Sequence, residues 1–263
     1  MNTPAARARE QYFATDGNLA ARIAIYDYRT NPQDWYSWLG ERLPLRGDVL
    51  EVGAGTGALW SRVDPRGHDM RLTLADFSPA MCARLREVPG AAVVRGDATR
   101  LPFPEASFDL LIANHMLYHL DDPVAGLSEF ARVLRPGGRL AMGLNGDDHL
   151  AELAEIGPAV GRDDLGLRPG HNDITAGTAT AYVGRLFHDV SAERYPSSLE
   201  VPDPEPVLRY FGSQGRVPLT SSEQVAARSF IAGRIAADGS FRIRQHAELI
   251  TATRFPSPPP PAR

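Results

Sequence analysis

Glu51, Asp76 and Asp97 are three acids at or near the ends of apolar runs, and Gly53, Gly55 and Gly57 follow the first of them at every second position. Val49-Leu50-Glu51-Val52 reads as a buried strand that stops in a glycine-rich turn. Bare backbone there lets the polar or charged part of a ligand lie directly against the chain. Ala58 to Arg62 is expected to start a helix whose N–H groups and positive dipole end face that ligand. Two cofactor classes use such a turn. Gly53-x-Gly55-x-x-Ala58 also satisfies the dinucleotide pattern, with Asp76 placed as a ribose carboxylate, so the glycines alone leave the choice open. Glu51 argues for a cationic ligand, because a carboxylate inside the strand would repel a pyrophosphate. Gly96-Asp97-Ala98, followed by Leu101-Pro102-Phe103, adds an acid and an apolar wall suited to an adenine. Leu134 to Arg139 reads as a helix end and a tight turn feeding another strand.

A second informative stretch is Ala113-Asn114-His115-Met116-Leu117-Tyr118-His119-Leu120. On a helical turn His115 and His119 share a face. No third ligand follows at metal-site spacing, so no metal is expected. His119 reads as a half-buried histidine that holds its loop by hydrogen bonds, with a catalytic role as the other reading. His115 is the better general-base candidate, since an ordinary histidine pKa of about 6.5 accepts a proton near neutrality.

Together these motifs resemble the class I S-adenosylmethionine-dependent methyltransferases, in particular the small-molecule branch similar to the ubiquinone and menaquinone biosynthesis enzymes. The resemblance covers about residues 45–146. It implies S-adenosylmethionine as cofactor, with Gly53, Gly55 and Gly57 under its methionine part and Asp76 gripping both ribose hydroxyls. Asp97 and Ala98 then form the adenine site and Asn114 lies beside the methionine moiety; Phe77, Met81 and Glu51 complete the expected cofactor set. In relatives of this kind an N-terminal arm closes the site with a tyrosine and an arginine, for which Tyr12 and Arg22 are the candidates here. The other reading of the aromatic-rich segment is an ordinary outer helix layer. The implied activity is methyl transfer to the oxygen, nitrogen or carbon of a small organic acceptor, in specialised metabolism. Other readings are a non-methyl reaction such as cyclisation on the same fold, a NAD(P)-binding oxidoreductase and a noncatalytic binding module.

The elements that must position these residues alternate as in an α/β fold. Strands are expected near 48–53, 71–76, 91–96, 107–113 and 138–144, followed by Ser191–Val201 and a closing antiparallel strand over Phe241–Thr253. The result is a Rossmann-like, seven-stranded, mostly parallel sheet with helices on both faces. Asp34, Ser78-Pro79, Asp122-Pro123 and Asp203-Pro204 are helix starts, and Thr220-x-x-Glu223 or Ser221-x-x-Gln224 caps a long helix to about Ala237. Gln11–Tyr28, a segment from Leu150 to Val160 and Thr178–His188 are further helical expectations. The chain thus divides into an arm over 1–43, a domain over 44–254 with helical lid insertions at about 147–189 and 203–239, and a Pro-rich tail over 255–263. Tyr210 and Phe211 are either acceptor-pocket residues or plain lid core.

A net charge of −4 gives no pull toward a polyanion, so nucleic acid is not an expected partner. All 28 basic residues are arginine, which suits a GC-rich genome. Cys82 is the one cysteine, so no intrachain disulfide can form. With no apolar signal or membrane-spanning run, a cytoplasmic protein, monomeric or homodimeric, is expected.

Overall fold

The computed structural model describes residues 22–163, 174–213 and 219–256. Tyr12, the start of the first expected helix and the tail from 257 onward lie outside the described residues.

Short apolar runs punctuated by glycine produce the parallel strands β1 (Gly47–Val52), β2 (Met70–Asp76), β3 (Ala92–Arg95), β4 (Phe108–Asn114) and β5 (Leu134–Asn145). The predicted capping residues start the helices between them. Asp34 accepts backbone N–H groups at the start of α1 (Trp35–Gly40), Ser78 does so for α2 (Pro79–Leu85) and Asp122 for α3 (Pro123–Val133). Further along lie α4 (Ile156–Ala159), α5 (Ala176–Val183), α6 (Pro204–Gly212) and α7 (Ser221–Asp238). At α7 the capping box is Thr220 with Glu223, and Gly239 closes the helix in the left-handed conformation.

The main sheet has the order β3-β2-β1-β4-β5-β9-β6, where β6 is Phe187–Arg194 and β9 is Ala247–Arg254. Strand β9 runs antiparallel to both neighbours, and the other pairs are parallel. This is the expected seven-stranded, mostly parallel sheet. One face packs Phe130, Leu127 and Val133 of α3 against Leu111, Leu140 and Ile250; the other packs Trp35, Trp38 and Leu59 against Leu74, Leu110 and Ile112.

Three expectations need correction. The two long strands near the end of the chain each break in two. Ser197–Val201 (β7) and Phe241–Gln245 (β8) leave the main sheet and pair with each other, and Pro196 marks the first break. Their inward residues Leu199, Val201, Phe241 and Ile243 bury against Val207, Phe211, Ala227 and Ile231 of α6 and α7, forming a lid with its own core. Apolar alternation had no means of saying which of two cores a strand would serve. The helix expected over Thr178–His188 stops at Val183, because β6 already begins at Phe187. Finally, the helix expected to start at Ala58 is a single 3₁₀ turn, Leu59–Ser61, with Pro65 opening a second short turn soon after.

Candidate active site

A cleft of about 310 Å³ opens at the carboxyl ends of β1, β2, β3 and β4, where parallel sheets place their ligands. The three glycines serve it differently. A Cβ on Gly53 would stand 2.7 Å from Cβ of Met116, and one on Gly57 would meet Val88 and Leu85 at 3.2 and 3.3 Å. Those two positions are small so that the protein can pack around the turn. Gly55, at φ +57°, meets nothing closer than 4.0 Å and presents bare backbone to the cleft.

Asp76 ties this turn to the end of β2. Its Oδ2 accepts the Gly55 N–H at 2.9 Å, and its Oδ1 accepts the Ser78 N–H at 2.8 Å. Burial raises its pKa, opposed by the backbone hydrogen bonds of Ser78, Gly55 and Phe77. A carboxylate offers about four acceptor sites, so these three N–H groups leave one for a ligand hydroxyl.

Glu51 is 3% exposed and takes a 2.6 Å hydrogen bond from Nε1 of Trp60. Burial, reinforced by the Asp76 charge, pushes its pKa up to about 8 against the pull of the Trp60 bond. Sequence alone predicts an anion here. In this pocket Glu51 is instead a neutral acid at pH 7, poised to ionise beside a cation.

Across the cleft, β4 ends at Asn114, whose Oδ1 accepts from Trp35 Nε1 at 2.9 Å. Gly143 on β5 makes the room, since a Cβ there would lie 2.2 Å from that same oxygen. His115 follows in the left-handed conformation at φ +50° and gives its N–H to the Gly143 carbonyl at 2.8 Å. Such backbone in a non-glycine residue is strained, and strain of this kind collects at functional sites. Burial, with a contribution from His119, lowers the His115 pKa to about 4; burial, with Arg22 adding, does the same to His119. Both imidazoles are therefore neutral at pH 7, and the ordinary value of about 6.5 expected for His115 is corrected downward.

Of the sequence-predicted residues, Glu51, Gly53, Gly55, Asp76, Phe77 and Met81 line the cleft on the β1–β2 side. Asp97 and Ala98 line it beyond the end of β3, and Asn114, His115 and His119 line it at and beyond the end of β4, on the other side of β1. Gly57 supports the turn from behind. Arg22 is not on the wall: its Nε and Nη2 donate to the Ser213 carbonyl just past α6, tying the arm to the lid. Ile23 and Tyr36 line the cleft in its place, which no motif signalled. Tyr210 and Phe211 belong to the lid core. Among the described residues, no group of three or more His, Cys, Asp or Glu side chains could hold a metal, and no helix is long and apolar enough to cross a membrane.

The stretch from Leu50 in β1 to Met142 in β5, residues 50–142, matches the family described as "Methyltransferase domain". A demethylmenaquinone methyltransferase of Beutenbergia cavernae is 45% identical over 95 residues, 36% of this chain and 39% of that protein. An uncharacterized methyltransferase of Mycobacterium bovis is 37% identical over 134 residues, 50% of this chain and 53% of that one. The chain thus matches about half or less of the length of these curated relatives. Among solved structures, the [4+2]-cyclase SpnF shares the fold at a TM-score of 0.55 and 19% identity, covering 97% of both chains. The matched segment holds β2 to β4, parts of β1 and β5 and most of the cleft lining, whereas Ile23, Tyr36 and the lid of β7, β8, α6 and α7 fall outside it.

The residues present fit S-adenosylmethionine. Gly55 leaves the backbone open, Asp76 lines the cleft as a hydrogen-bond acceptor, and Glu51 is a buried acid that a cationic ligand would ionise.

Proposed function

We propose that this chain is an S-adenosylmethionine-dependent methyltransferase acting in the cytoplasm on a small organic acceptor of specialised metabolism, with the arm, domain and lid divided as the sequence suggests. The observation that carries the reading is the joint position of Gly55, Asp76 and the buried Glu51 in one cleft inside a methyltransferase domain. The demethylmenaquinone methyltransferase among the relatives supports a small-molecule acceptor.

When bound, the cofactor supplies an activated methyl group. The chain's own work is then to bind, orient and exclude water. Asp76 would hold the ribose hydroxyls, Asp97 and Ala98 the adenine, and Glu51, Gly53 and Asn114 the methionine end. Phe77 and Met81 give apolar contact. His115 stands at the inner wall with an imidazole able to accept a proton from an acceptor hydroxyl. His119 and Tyr118, whose rings meet edge to face at 4.6 Å, hold the loop that carries it.

Calorimetric titration with S-adenosylhomocysteine and with NAD tests the reading. Micromolar binding of the first and none of the second is expected; the reverse would sink it. Label transfer from methyl-labelled cofactor to an acceptor separates methyl transfer from a cyclisation, in which the label would stay on the cofactor.

A further inference from the structure

One side chain on the cleft wall offers a hydrogen-bond donor with nothing to take it. Asn114 ends β4 and lines the cleft, and its Oδ1 accepts from Nε1 of Trp35 at 2.9 Å. An indole nitrogen only donates, so this bond fixes which end of the amide is oxygen and which is nitrogen. Nδ2 has no protein partner among the described residues, and it is not one of the buried unpartnered atoms either. It is therefore open to the cleft that Asn114 lines.

Three elements hold the amide in that sense. Trp35 is buried at the start of α1, where Asp34 caps the helix and also pairs with Arg62, just past the glycine turn, at 3.0 Å. Trp38 stacks on the Trp35 ring at 5.3 Å, Tyr195 meets it edge-on at 5.6 Å, and His115 lies 5.2 Å away. Gly143 of β5 leaves room for the pair: a Cβ there would stand 2.2 Å from Oδ1 of Asn114 and 2.8 Å from Cζ2 of Trp35. The bond is thus built into the meeting of α1, β4 and β5. Turning the amide over would set its NH2 against the Trp35 N–H, two donors facing each other with no acceptor between them.

The chemistry of the wall says what the free donor meets. Glu51 and Ile112 are register partners on adjacent strands, so Gly53 and Asn114 stand at the same level where those strands end. Glu51 is an acid that ionises beside a cation, and Asn114 is an uncharged donor. No arginine is among the described residues that line the cleft, and burial keeps both of its histidines, His115 and His119, neutral at pH 7. A zwitterionic amino-acid end bound here finds a receptor for its ammonium in Glu51 and a donor for its carboxylate in Nδ2 of Asn114. An amide turned the other way would face that carboxylate with an oxygen.

We propose that Trp35 is a positioning residue for cofactor binding: by holding Oδ1 of Asn114 it presents Nδ2 to the carboxylate of the cofactor's methionine end, and Asn114 thereby selects ligands that carry this carboxylate. The identity of that ligand rests on the methyltransferase reading; the fixed sense of the amide does not.

The test compares S-adenosylhomocysteine with the adenosyl aminopropyl thioether that lacks only its carboxylate, both titrated by calorimetry into the full chain at pH 7. The wild type should bind the first about tenfold tighter or more, the factor of one charge-assisted hydrogen bond. Trp35→Phe keeps an aromatic ring in the packing and removes the N–H, so the ratio should fall to about threefold or less while affinity for the aminopropyl compound stays within about twofold. A purely structural role would weaken both ligands alike. Asn114→Asp keeps an oxygen for Trp35 but turns a second one to the ligand, and should reverse the preference. In the wild type, the Trp35 indole N–H should exchange slowly with solvent deuterium, as a buried and bonded donor does. Should Trp35→Phe fail to fold, the Asn114→Asp ratio and the indole exchange decide. Failure of both ligands to bind the wild type would count against the proposed function. Binding of S-adenosylhomocysteine with no preference for the carboxylate, a preference that survives Trp35→Phe or Asn114→Asp, a folded Trp35→Phe that loses both affinities alike, or a freely exchanging indole N–H would overturn this proposal alone.

Discussion

Replacing Glu51 by glutamine removes an ionisation while keeping the shape of the side chain and an oxygen for Trp60 Nε1. In the folded chain the carboxyl holds its proton up to about pH 8, against an ordinary value of 4.5. A raised folded-state pKa contributes stability that is intact below the unfolded value and is lost as pH rises through the folded one. The window for Glu51 is therefore pH 4.5 to 8. Each pH unit inside it is worth about 1.4 kcal/mol, so keeping this acid buried costs the fold about 3 kcal/mol at pH 7 relative to pH 4.5. Glutamine carries no such penalty. Urea unfolding of both proteins at pH 4.5, 6 and 7.5 should show the variant gaining on the wild type by about 2–4 kcal/mol across the series. The same acid should make cofactor binding release a proton: titrating S-adenosylhomocysteine at pH 7 in buffers of different ionisation enthalpy should reveal close to one proton per site in the wild type and none in Glu51→Gln. A variant-to-wild-type difference that stays flat with pH would refute the burial argument, and equal proton release in both proteins would refute the role beside the ligand.

Asp76→Ala should weaken S-adenosylhomocysteine binding by about 1.5–3 kcal/mol per lost ribose bond, and it also strips the Gly55 and Ser78 N–H groups of their acceptor; unchanged affinity by calorimetry would remove Asp76 from the site. Gly53→Ala and Gly55→Ala should separate packing from binding. The first pushes a Cβ to 2.7 Å from Met116 at φ +69° and should lower stability by about 2–4 kcal/mol. The second meets only open cleft, so it should lose about 1–2 kcal/mol to backbone strain and most of its ligand affinity, and a Gly55→Ala protein that binds normally would contradict the cradle. His115, His119 and His149 are depressed to about 4, 4 and 3, so each favours the fold above pH 6.5 and withdraws that support as pH falls through its folded value. Urea unfolding between pH 6.5 and 4.5 should therefore show stability falling by up to about 1.4 kcal/mol per pH unit for each histidine, partly offset by Glu51; a flat profile would mean these rings are hydrated.

The parallel half of the sheet was legible because its signals are local. An apolar run stopped by Gly53 or by Asp76, and a helix opened by Ser78-Pro79 or Asp122-Pro123, each specify their element within a few residues, and every one of those starts is where the structure has it. The lid was less legible for the opposite reason. Ser191–Val201 and Phe241–Thr253 alternate like single strands, and only the presence of α6 and α7 decides that Leu199 and Phe241 face a second core. The glycine turn announced a binding loop but not the division of labour inside it. That Gly57 serves packing, Gly55 the cleft and Gly53 both depends on Met116, Leu85 and Val88, which lie far along the chain. Arg22 shows the same limit, since its partner is a carbonyl 191 residues away.

Charge state is the property that sequence reads least well, and here it decides the chemistry. Glu51, His115, His119 and His149 would all be charged or half-charged in water near pH 6.5, yet burial leaves every one of them neutral at pH 7. One cause, burial, thus acts on both sides of the cleft. On the β1 side it stores an acid that a cationic ligand can ionise, which couples binding to proton release. On the β4 side it leaves imidazoles that bind as uncharged donors and acceptors and that give up a proton easily once they have taken it. A base with a pKa near 4 is a weak one, so His115 can assist only an acceptor whose own proton is labile or is leaving as the new bond forms. Any substitution that lets water reach His115, such as Trp35→Ala beneath it, should raise its pKa toward 6.5 and loosen that restriction together with the packing that causes it.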